Sequence, residues 1–160
     1  MELKLVELLI PAGANLILGQ AHFIKTVEDL YEIVVSSCPQ VEFGLAFSEA
    51  SGECLIRTEG NHPDLVAAAT ENAQRLGAGH TFNLLIRQAF PINMLNAIKL
   101  CQEVCTIFCA TANPVQVVLA ETAQGRGILG VIDGFGPKGV EQEGGRAWRH
   151  GLLRQLKYKR

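Results

Sequence analysis

The chain has 160 residues, of which 48% are apolar and 19% are charged, and its formal net charge is −2. This length suits one domain, and the apolar content supports a packed core, so a disordered chain is excluded. The charge is unevenly distributed. Residues 1–145 carry 8 Lys and Arg against all 16 acidic residues, a net −8, whereas residues 146–160 carry +6. A uniformly basic nucleic-acid-binding protein is therefore excluded, and no nucleic-acid partner is expected.

The uncharged stretches of the chain are too short to suggest a membrane protein. The two longest, residues 8–24 and 104–120, have 17 residues each and are interrupted by polar side chains, whereas a spanning helix needs about 20 apolar residues. No basic segment precedes an apolar run near the start, so a signal peptide is not expected. Five cysteines are an odd number, which favours reduced thiols. We therefore expect a cytoplasmic protein with no membrane partner.

The first half of the chain predicts four strands and one helix. The strands are expected at residues 2–9, 15–22, 41–48 and 54–58, the last two as a hairpin. The helix is expected to begin at Thr26, because its hydroxyl and Asp29, three residues later, match a capping box. Pro39 marks its end.

The second half predicts a helix at residues 64–76, with Pro63 at its first turn and Gly77 placed to end it. The remaining predicted elements are a strand at 80–87, a short helix at 91–100, strands at 104–111, 115–121 and 127–133, a glycine-rich loop at 134–145 and a basic amphipathic helix after it. This order predicts an α/β or α+β fold. We expect a single domain over residues 1–160, built around one mixed sheet flanked by helices.

Residues 125–130 match the pattern G-x-G-x-x-G. As a dinucleotide-binding fingerprint, this pattern requires a helix after it. The residues that follow are β-like, so a tight turn between two strands is the favoured interpretation. No P-loop sequence occurs in the chain, so a nucleotide phosphate would have to be held by another device.

Two of the four histidines, His22 and His80, lie next to glycine and other small residues. Glycine allows a ligand or another backbone segment to approach closely. An imidazole in such a place can accept a proton or a phosphoryl group. The alternative for each is a partly buried histidine that hydrogen-bonds to a carbonyl.

Several polar residues fall at the ends of predicted strands. Glu49, Glu121 and Asp133 would gather at one edge of the sheet if their strands ran parallel to residues 15–22, and ligands bind at such an edge in open α/β sheets. Asn113 offers a donor and an acceptor to a base or a ribose. Arg126, flanked by glycines, could meet a phosphate through its guanidinium.

The chain resembles the adenosine-specific kinase family in a series of ordered blocks. The first is GQAHFIKTVEDLY, at residues 19–31, and the second is FGLAFSEASG, at residues 43–52. The later blocks lie at residues 77–80, 90–93, 110–114, 125–134 and 158–160. The resemblance covers almost the whole chain, and residues 134–149 match least.

This resemblance implies an archaeal or bacterial protein that binds adenosine or AMP and forms a homo-oligomer, a trimer. It also implies a histidine that carries phosphate. His22 is the first candidate, because it follows a strand and faces the predicted helix start at Thr26, where free N–H groups can hold an anion. His80 is the second candidate, because it opens a strand and is expected at the opposite edge. No cofactor and no metal site are expected.

The resemblance also implies a set of pocket residues, with Lys25 adding charge near a phosphate. The set is Gln20, Lys25, Glu49, Asn113, Glu121, Arg126 and Asp133. Two functions stay open: a kinase that transfers phosphate to adenosine or AMP through a phosphohistidine, and a non-catalytic adenosine or AMP sensor. A purely structural trimer is a third. The basic segment is expected to dock as a helix on the acidic body, either its own or a neighbour's.

Overall fold

The computed structural model describes residues 1–160 and contains eight strands and four α-helices. The strands are β1 (Glu2–Glu7), β2 (Asn15–Ala21), β3 (Glu42–Ser48), β4 (Ile56–Gly60), β5 (Thr81–Arg87), β6 (Val104–Thr111), β7 (Val115–Glu121) and β8 (Arg126–Asp133). The helices are α1 (Thr26–Ser37), α2 (Pro63–Leu76), α3 (Leu95–Lys99) and α4 (Glu143–Gln155), with a 3₁₀ turn at Pro91–Asn93. Each predicted strand and helix is present, and the predicted α+β class is confirmed.

The strands form two sheets, so the expectation of a single mixed sheet was wrong. The large sheet has the order β4-β3-β5-β2-β6, and the small sheet has the order β1-β7-β8. Every pairing within the two sheets is antiparallel. Strand patterns in a sequence carry no pairing direction, and short connections such as those between β3 and β4 or β7 and β8 favour hairpins. One isolated parallel bridge, between Ala78 and Arg126, links the small sheet to the end of α2.

The large sheet is buried on both faces. On one face, Ile17 and Phe43 pack with Leu30 of α1. On the other face, side chains of β2 and β3 pack against α2 and against β7 of the small sheet. The molecule is thus a compact single domain of three layers, in which the small sheet and α2 lie side by side on the same face of the large sheet. The candidate site lies where the end of α2 meets the small sheet.

Two glycines shape the ends and the contact surface of α2. A Cβ atom at Gly44 in β3 would lie 2.1 Å from the carbonyl carbon of Leu65, so only glycine lets α2 lie directly on the strand. Gly77 follows α2 with φ at 56°, the left-handed conformation that ends many helices. The sequence-based prediction that Gly77 ends this helix is therefore confirmed.

The start of α1 differs from the prediction. Lys25 is the N-cap residue, and no side chain caps the helix. The Thr26 hydroxyl instead donates to the carbonyl of Phe23 at 2.6 Å, and the N–H of Thr26 donates to the same carbonyl. The N–H groups of Glu28 and Asp29 both donate to the carbonyl of Lys25. The predicted capping box was therefore wrong, and the N–H groups expected to hold an anion beside His22 are already paired.

Helix α4 extends from the rest of the domain. None of its residues is buried, and Trp148 is 69% exposed. Its side-chain hydrogen bonds and its ion pair, between Arg149 and Glu141, all remain within residues 140–155. The amphipathic helix is present as predicted, and none of these hydrogen bonds or ion pairs joins it to residues 1–139.

No helix of the structure is both long and apolar enough to cross a bilayer.

Candidate functional site

His80 lies at the same edge of the large sheet as His22, so the expectation that it lies at the opposite edge was wrong. The His80 N–H donates to the carbonyl of Ser48 at 2.7 Å, and the His80 carbonyl accepts from the N–H of Ala21 at 2.9 Å. In an antiparallel sheet, the first residue of one strand lies beside the last residue of its neighbour. The ends of β2 and β3 and the start of β5 therefore meet here.

An open cavity of about 800 Å³ lies at this edge, between the large sheet, the end of α2 and the β7–β8 turn. We call it the edge cavity. Its polar lining includes Gln20, Ser48, Glu49, Gln74, His80 and Arg126. Four residues that the sequence singled out (Gln20, Glu49, His80 and Arg126) are thus brought together, and Glu121 adjoins the cavity through its ion pair with Arg126.

Arg126 holds the wall of the edge cavity in place. Its guanidinium pairs with Glu121 and donates through Nη1 to the carbonyls of Arg75 at 3.1 Å and Leu76 at 3.4 Å. Cations at a helix C-terminus satisfy its free carbonyls and complement its dipole. Hydrogen bonds from Lys4 and Arg126 hold the pKa of Glu121 below its usual range. Arg126 and Glu121 therefore fasten the β7–β8 turn to α2.

Glu49 is an ionised and fully engaged side chain. Its carboxylate accepts from the N–H of Leu55 at 2.8 Å and from Nε and Nη2 of Arg57 at 3.0 and 2.9 Å. These hydrogen bonds, with that from the Leu55 backbone the largest, lower the pKa of Glu49. Glu49 closes the β3–β4 hairpin and forms part of the cavity wall.

His80 and Gln20 line the edge cavity, and both have unpaired polar side chains. Neither side chain hydrogen-bonds to any other protein group. The His80 ring is half-buried and stacks on Phe47 with a centroid distance of 6.0 Å. The backbone of His80 has φ at 60°, a left-handed conformation that is uncommon for residues other than glycine and asparagine. The backbone is therefore fixed while the imidazole stays free to interact with a ligand.

His22 lies outside the edge cavity. Its side chain is exposed, and its ring stacks on Phe23 at 6.5 Å. Its backbone N–H donates to the carbonyl of Glu103 at 3.0 Å. The two candidate histidines thus share an edge of the sheet, but only His80 is placed with Gln20 and Glu49.

Lys25 belongs to a second cluster, around the buried carboxylate of Glu103. The Lys25 ammonium donates to Glu103 at 2.8 Å and also pairs with Asp29, and the Cys101 thiol donates to Glu103 at 2.9 Å. Burial alone would raise the pKa of Glu103, but the hydrogen bonds from Cys101 and Lys25 outweigh it and lower the pKa to about 2. Burial raises the pKa of the Cys101 thiol to about 11.

The same cluster has the donor types of a metal site, and it was missed by sequence reasoning. Ligand atoms of Asp29, Cys101 and Glu103 lie within 4.8 Å of one another. The Lys25 ammonium already supplies the cation that pairs with the two carboxylates. The sequence did contain a signal that could have pointed to this cluster: Glu103 is the only charged residue between Lys99 and Glu121. Lys25 is thus engaged in this cluster and does not line the edge cavity.

Asn113 and Asp133 lie at the far end of the small sheet. The Asp133 carboxylate accepts from the Thr111 hydroxyl at 2.7 Å and from the Asn113 amide at 3.1 Å. Asp133 pairs with the first residue of β7, whereas Arg126 pairs with the last, Glu121. The two ends are roughly 20 Å apart at about 3.3 Å per residue. The expectation that Asp133 and Glu121 share one edge was wrong, because β8 runs antiparallel to β7.

The G-x-G-x-x-G segment forms the β7–β8 turn and the first half of β8, and no helix follows it directly. A tight turn between two strands, as the sequence predicted, is confirmed. The turn contributes to the wall of the edge cavity through Gly125, Arg126 and Gly127.

Comparison with known proteins places the chain in a family. The family described as "Adenosine specific kinase" matches residues 6–159. Among solved structures, the crystal structure of the PH1918 protein from Pyrococcus horikoshii OT3 is similar, with a TM-score of 0.95 and 39% sequence identity over 99% of this chain and 98% of that one. No curated protein matches the sequence. Because the family match spans nearly the whole chain, the protein belongs to the adenosine-specific kinase family.

Proposed function

We propose that the protein binds adenosine or AMP in the edge cavity and acts as an adenosine-specific kinase through a phosphohistidine. The observation that carries this proposal is a cavity of about 800 Å³ whose lining includes His80 and Gln20, two residues whose side chains have no hydrogen-bond partner in the protein. That volume lies in the range of small-molecule sites, and the few unpaired polar groups are of the kind that orient a ligand. The family description supports adenosine as the substrate class.

His80 becomes the first candidate for the phosphate carrier, with His22 second. A ring nitrogen of His80 would attack the phosphorus of an activated phosphate donor, forming an N–P bond while the donor's P–O bond breaks and its electron pair leaves with the donor oxygen. The 5′-hydroxyl oxygen of adenosine would then attack the same phosphorus. The N–P bond breaks, its electron pair returns to the imidazole, and the hydroxyl proton passes to solvent. The products are AMP and the dephosphorylated donor.

The binding and kinase functions can be tested together on the wild-type chain. Calorimetry should detect adenosine and AMP in preference to guanosine and GMP. Incubation with adenosine and ATP, GTP, pyrophosphate or acetyl phosphate should give AMP and an acid-labile phosphoryl group on the protein, read by mass spectrometry at neutral pH. No binding of adenosine or AMP at millimolar concentration would contradict the proposal.

A non-catalytic adenosine or AMP sensor is the second candidate function. It is favoured by the ion pairs around the edge cavity: Arg126 is paired with Glu121, and Arg57 with Glu49. A neutral nucleoside suits such a site better than a triphosphate, which requires unpaired cations or a metal ion to balance its charge. Selective binding of adenosine or AMP without phosphate transfer from any donor would support this function over the kinase.

We also propose that the protein is a cytoplasmic homotrimer in which α4 of one copy docks on the small sheet of the next. The outer face of that sheet exposes Leu3 (68%), Leu5 (56%) and Ile132 (48%), and α4 exposes Trp148. Apolar faces of this kind mark protein interfaces. The basic segment around α4 complements the acidic body of a second copy in charge. The number of copies rests on the family resemblance.

A further inference from the structure

The hydroxyl of Ser48 is a buried polar group with no hydrogen-bond partner. Ser48 is the last residue of β3, and only 7% of its surface is exposed. Its backbone carbonyl accepts from the N–H of His80, but its Oγ neither donates nor accepts. Leaving a buried hydroxyl unpaired costs free energy, and such groups are rare in folded proteins. The site therefore calls for an explanation.

The position of Ser48 in β3 places its side chain on the cavity side of the large sheet. Successive residues of a strand point to opposite faces, so Ser48 shares a face with Gly44 and Ala46. Those two residues lie against α2. By the same alternation, Gln20 of β2 shares a face with Leu16 and Leu18, which also belong to the core under α2. Ser48 and Gln20 are thus polar groups that the large sheet itself contributes to the edge cavity.

Two neighbouring polar side chains, those of Thr81 and Glu49, already have partners within the protein. The Thr81 hydroxyl, at the start of β5, donates to the carbonyl of Ala78 at 2.7 Å. The carboxylate of Glu49 is held by Arg57. Ser48 differs from both because its hydroxyl is buried and unpaired. A serine side chain moves between three staggered rotamers, so one rotation about χ1 re-aims the hydroxyl.

We infer that Ser48 is a ligand-contacting residue of the edge cavity, whose hydroxyl hydrogen-bonds a polar group of the bound nucleoside. The inference rests on the proposed binding of adenosine or AMP in this cavity. The hydroxyl gains its missing partner when the ligand enters. Ser48 and Gln20 then approach the nucleoside from the sheet side, while His80 lies at the rim where phosphate is transferred.

This role predicts that Ser48→Ala lowers the affinity for adenosine without lowering the stability of the free protein. In the free protein, the substitution removes an unpaired hydroxyl, so the melting temperature stays equal or rises. In the complex, it leaves a polar group of the nucleoside without a partner, so the affinity for adenosine falls about tenfold. A purely structural hydroxyl would lower the melting temperature instead.

The experiment is calorimetric titration of the full chain with adenosine, alongside thermal unfolding. Ser51→Ala is the matched control, because Ser51 is an exposed serine in the adjoining turn. Titrations with 2′-deoxyadenosine, 3′-deoxyadenosine, purine riboside and the deaza-adenosines identify the contacted group. We expect Ser51→Ala to bind like the wild type. The analogue that lacks the contacted group should bind wild type and Ser48→Ala equally.

Three results would overturn the inference: unchanged adenosine affinity in Ser48→Ala, an equal loss for every analogue, or a lower melting temperature. If Ser48→Ala fails to fold, Ser48→Cys keeps a small side chain with a weaker hydrogen bond, and a smaller loss of affinity is expected. Wild-type protein that binds neither adenosine nor AMP would remove the proposed function and the inference together. Wild-type binding with an unaffected Ser48→Ala would remove the inference alone.

Discussion

His80 is held by its backbone on both sides while its imidazole has no hydrogen bond. Its N–H and carbonyl join the ends of β3 and β2, and its left-handed φ turns the chain into β5. Both His22 and His80 stand out in the sequence because small residues flank them. From the sequence, His22 ranked first and His80 was expected at the opposite edge. The edge on which each lies depends on strand direction, which local patterns do not encode.

The first prediction separates the two histidines. We expect His80→Asn to abolish the acid-labile phosphoryl group and the formation of AMP, whereas His22→Asn keeps both. Asparagine tolerates the left-handed conformation of residue 80, so the backbone is retained. Mass spectrometry at neutral pH measures the modification, and thermal unfolding checks the fold of each variant. Loss of phosphate in His22→Asn with retention in His80→Asn would reverse the assignment.

The second prediction concerns the carboxylate of Glu103. The pKa of Glu103 is about 2 in the folded protein, whereas its ordinary value is 4.5. Between pH 2 and pH 4.5, the unfolded chain therefore binds more protons than the folded chain. The stabilisation from the charged carboxylate is therefore complete above about pH 4.5 and is lost as the pH falls toward 2. Urea unfolding at pH 6 and pH 3 should show a smaller difference between wild type and Glu103→Gln at the lower pH. An equal difference at both values would contradict this account.

At the scale of elements, local signals predicted each helix and strand but not how the strands pair. Gly77 ends α2 because only a residue that tolerates positive φ suits that position, and this could be read from sequence. The Thr26–Asp29 pattern misled, because the chain enters α1 through a tight turn that uses the Thr26 hydroxyl. The antiparallel pairing determines which residues come together at the candidate site. It separates Asp133 from Glu121 and places His80 beside the end of β2.

The third prediction tests the contact between α2 and β3. Gly44→Ala should lower the free energy of unfolding by about 3 kcal/mol, because its Cβ would lie 2.1 Å from backbone atoms of Leu65, which cannot move without displacing the helix. Gly136→Ala is the control, because an added Cβ there has open space and the backbone conformation is ordinary. Urea unfolding measures both variants. Equal stability of Gly44→Ala and wild type would show that α2 is not seated on β3 as described.

At the scale of the whole molecule, the net charge of −2 conceals an acidic body and a basic helix. The sequence predicted the helix from the spacing of Trp148, Leu152 and Leu156. The sequence could not predict that this helix makes no hydrogen bond to residues 1–139. Whether a helix docks on a surface depends on surfaces that form only after folding. The apolar outer face of the small sheet, with Leu3 and Leu5, is such a surface.

The fourth prediction tests assembly. Light scattering should give wild type the mass of three chains of 17.3 kDa, and removal of residues 146–160 should lower it. The truncated chain should keep its core, because no residue of α4 is buried and none belongs to the two core clusters. Trp148→Ala removes the largest apolar side chain of α4 without changing its charge, and it should also weaken assembly. An unchanged mass for both variants would exclude α4 from the interface.

The central claim, that the edge cavity binds adenosine or AMP, is tested most directly by a crystal structure of the wild-type protein with AMP. We predict that AMP lies between the end of α2 and the β7–β8 turn, with its nucleoside beside Gln20 and Ser48 and its phosphate near His80. AMP bound elsewhere, such as beside Lys25 and Glu103, or no binding at millimolar concentration, would contradict the claim.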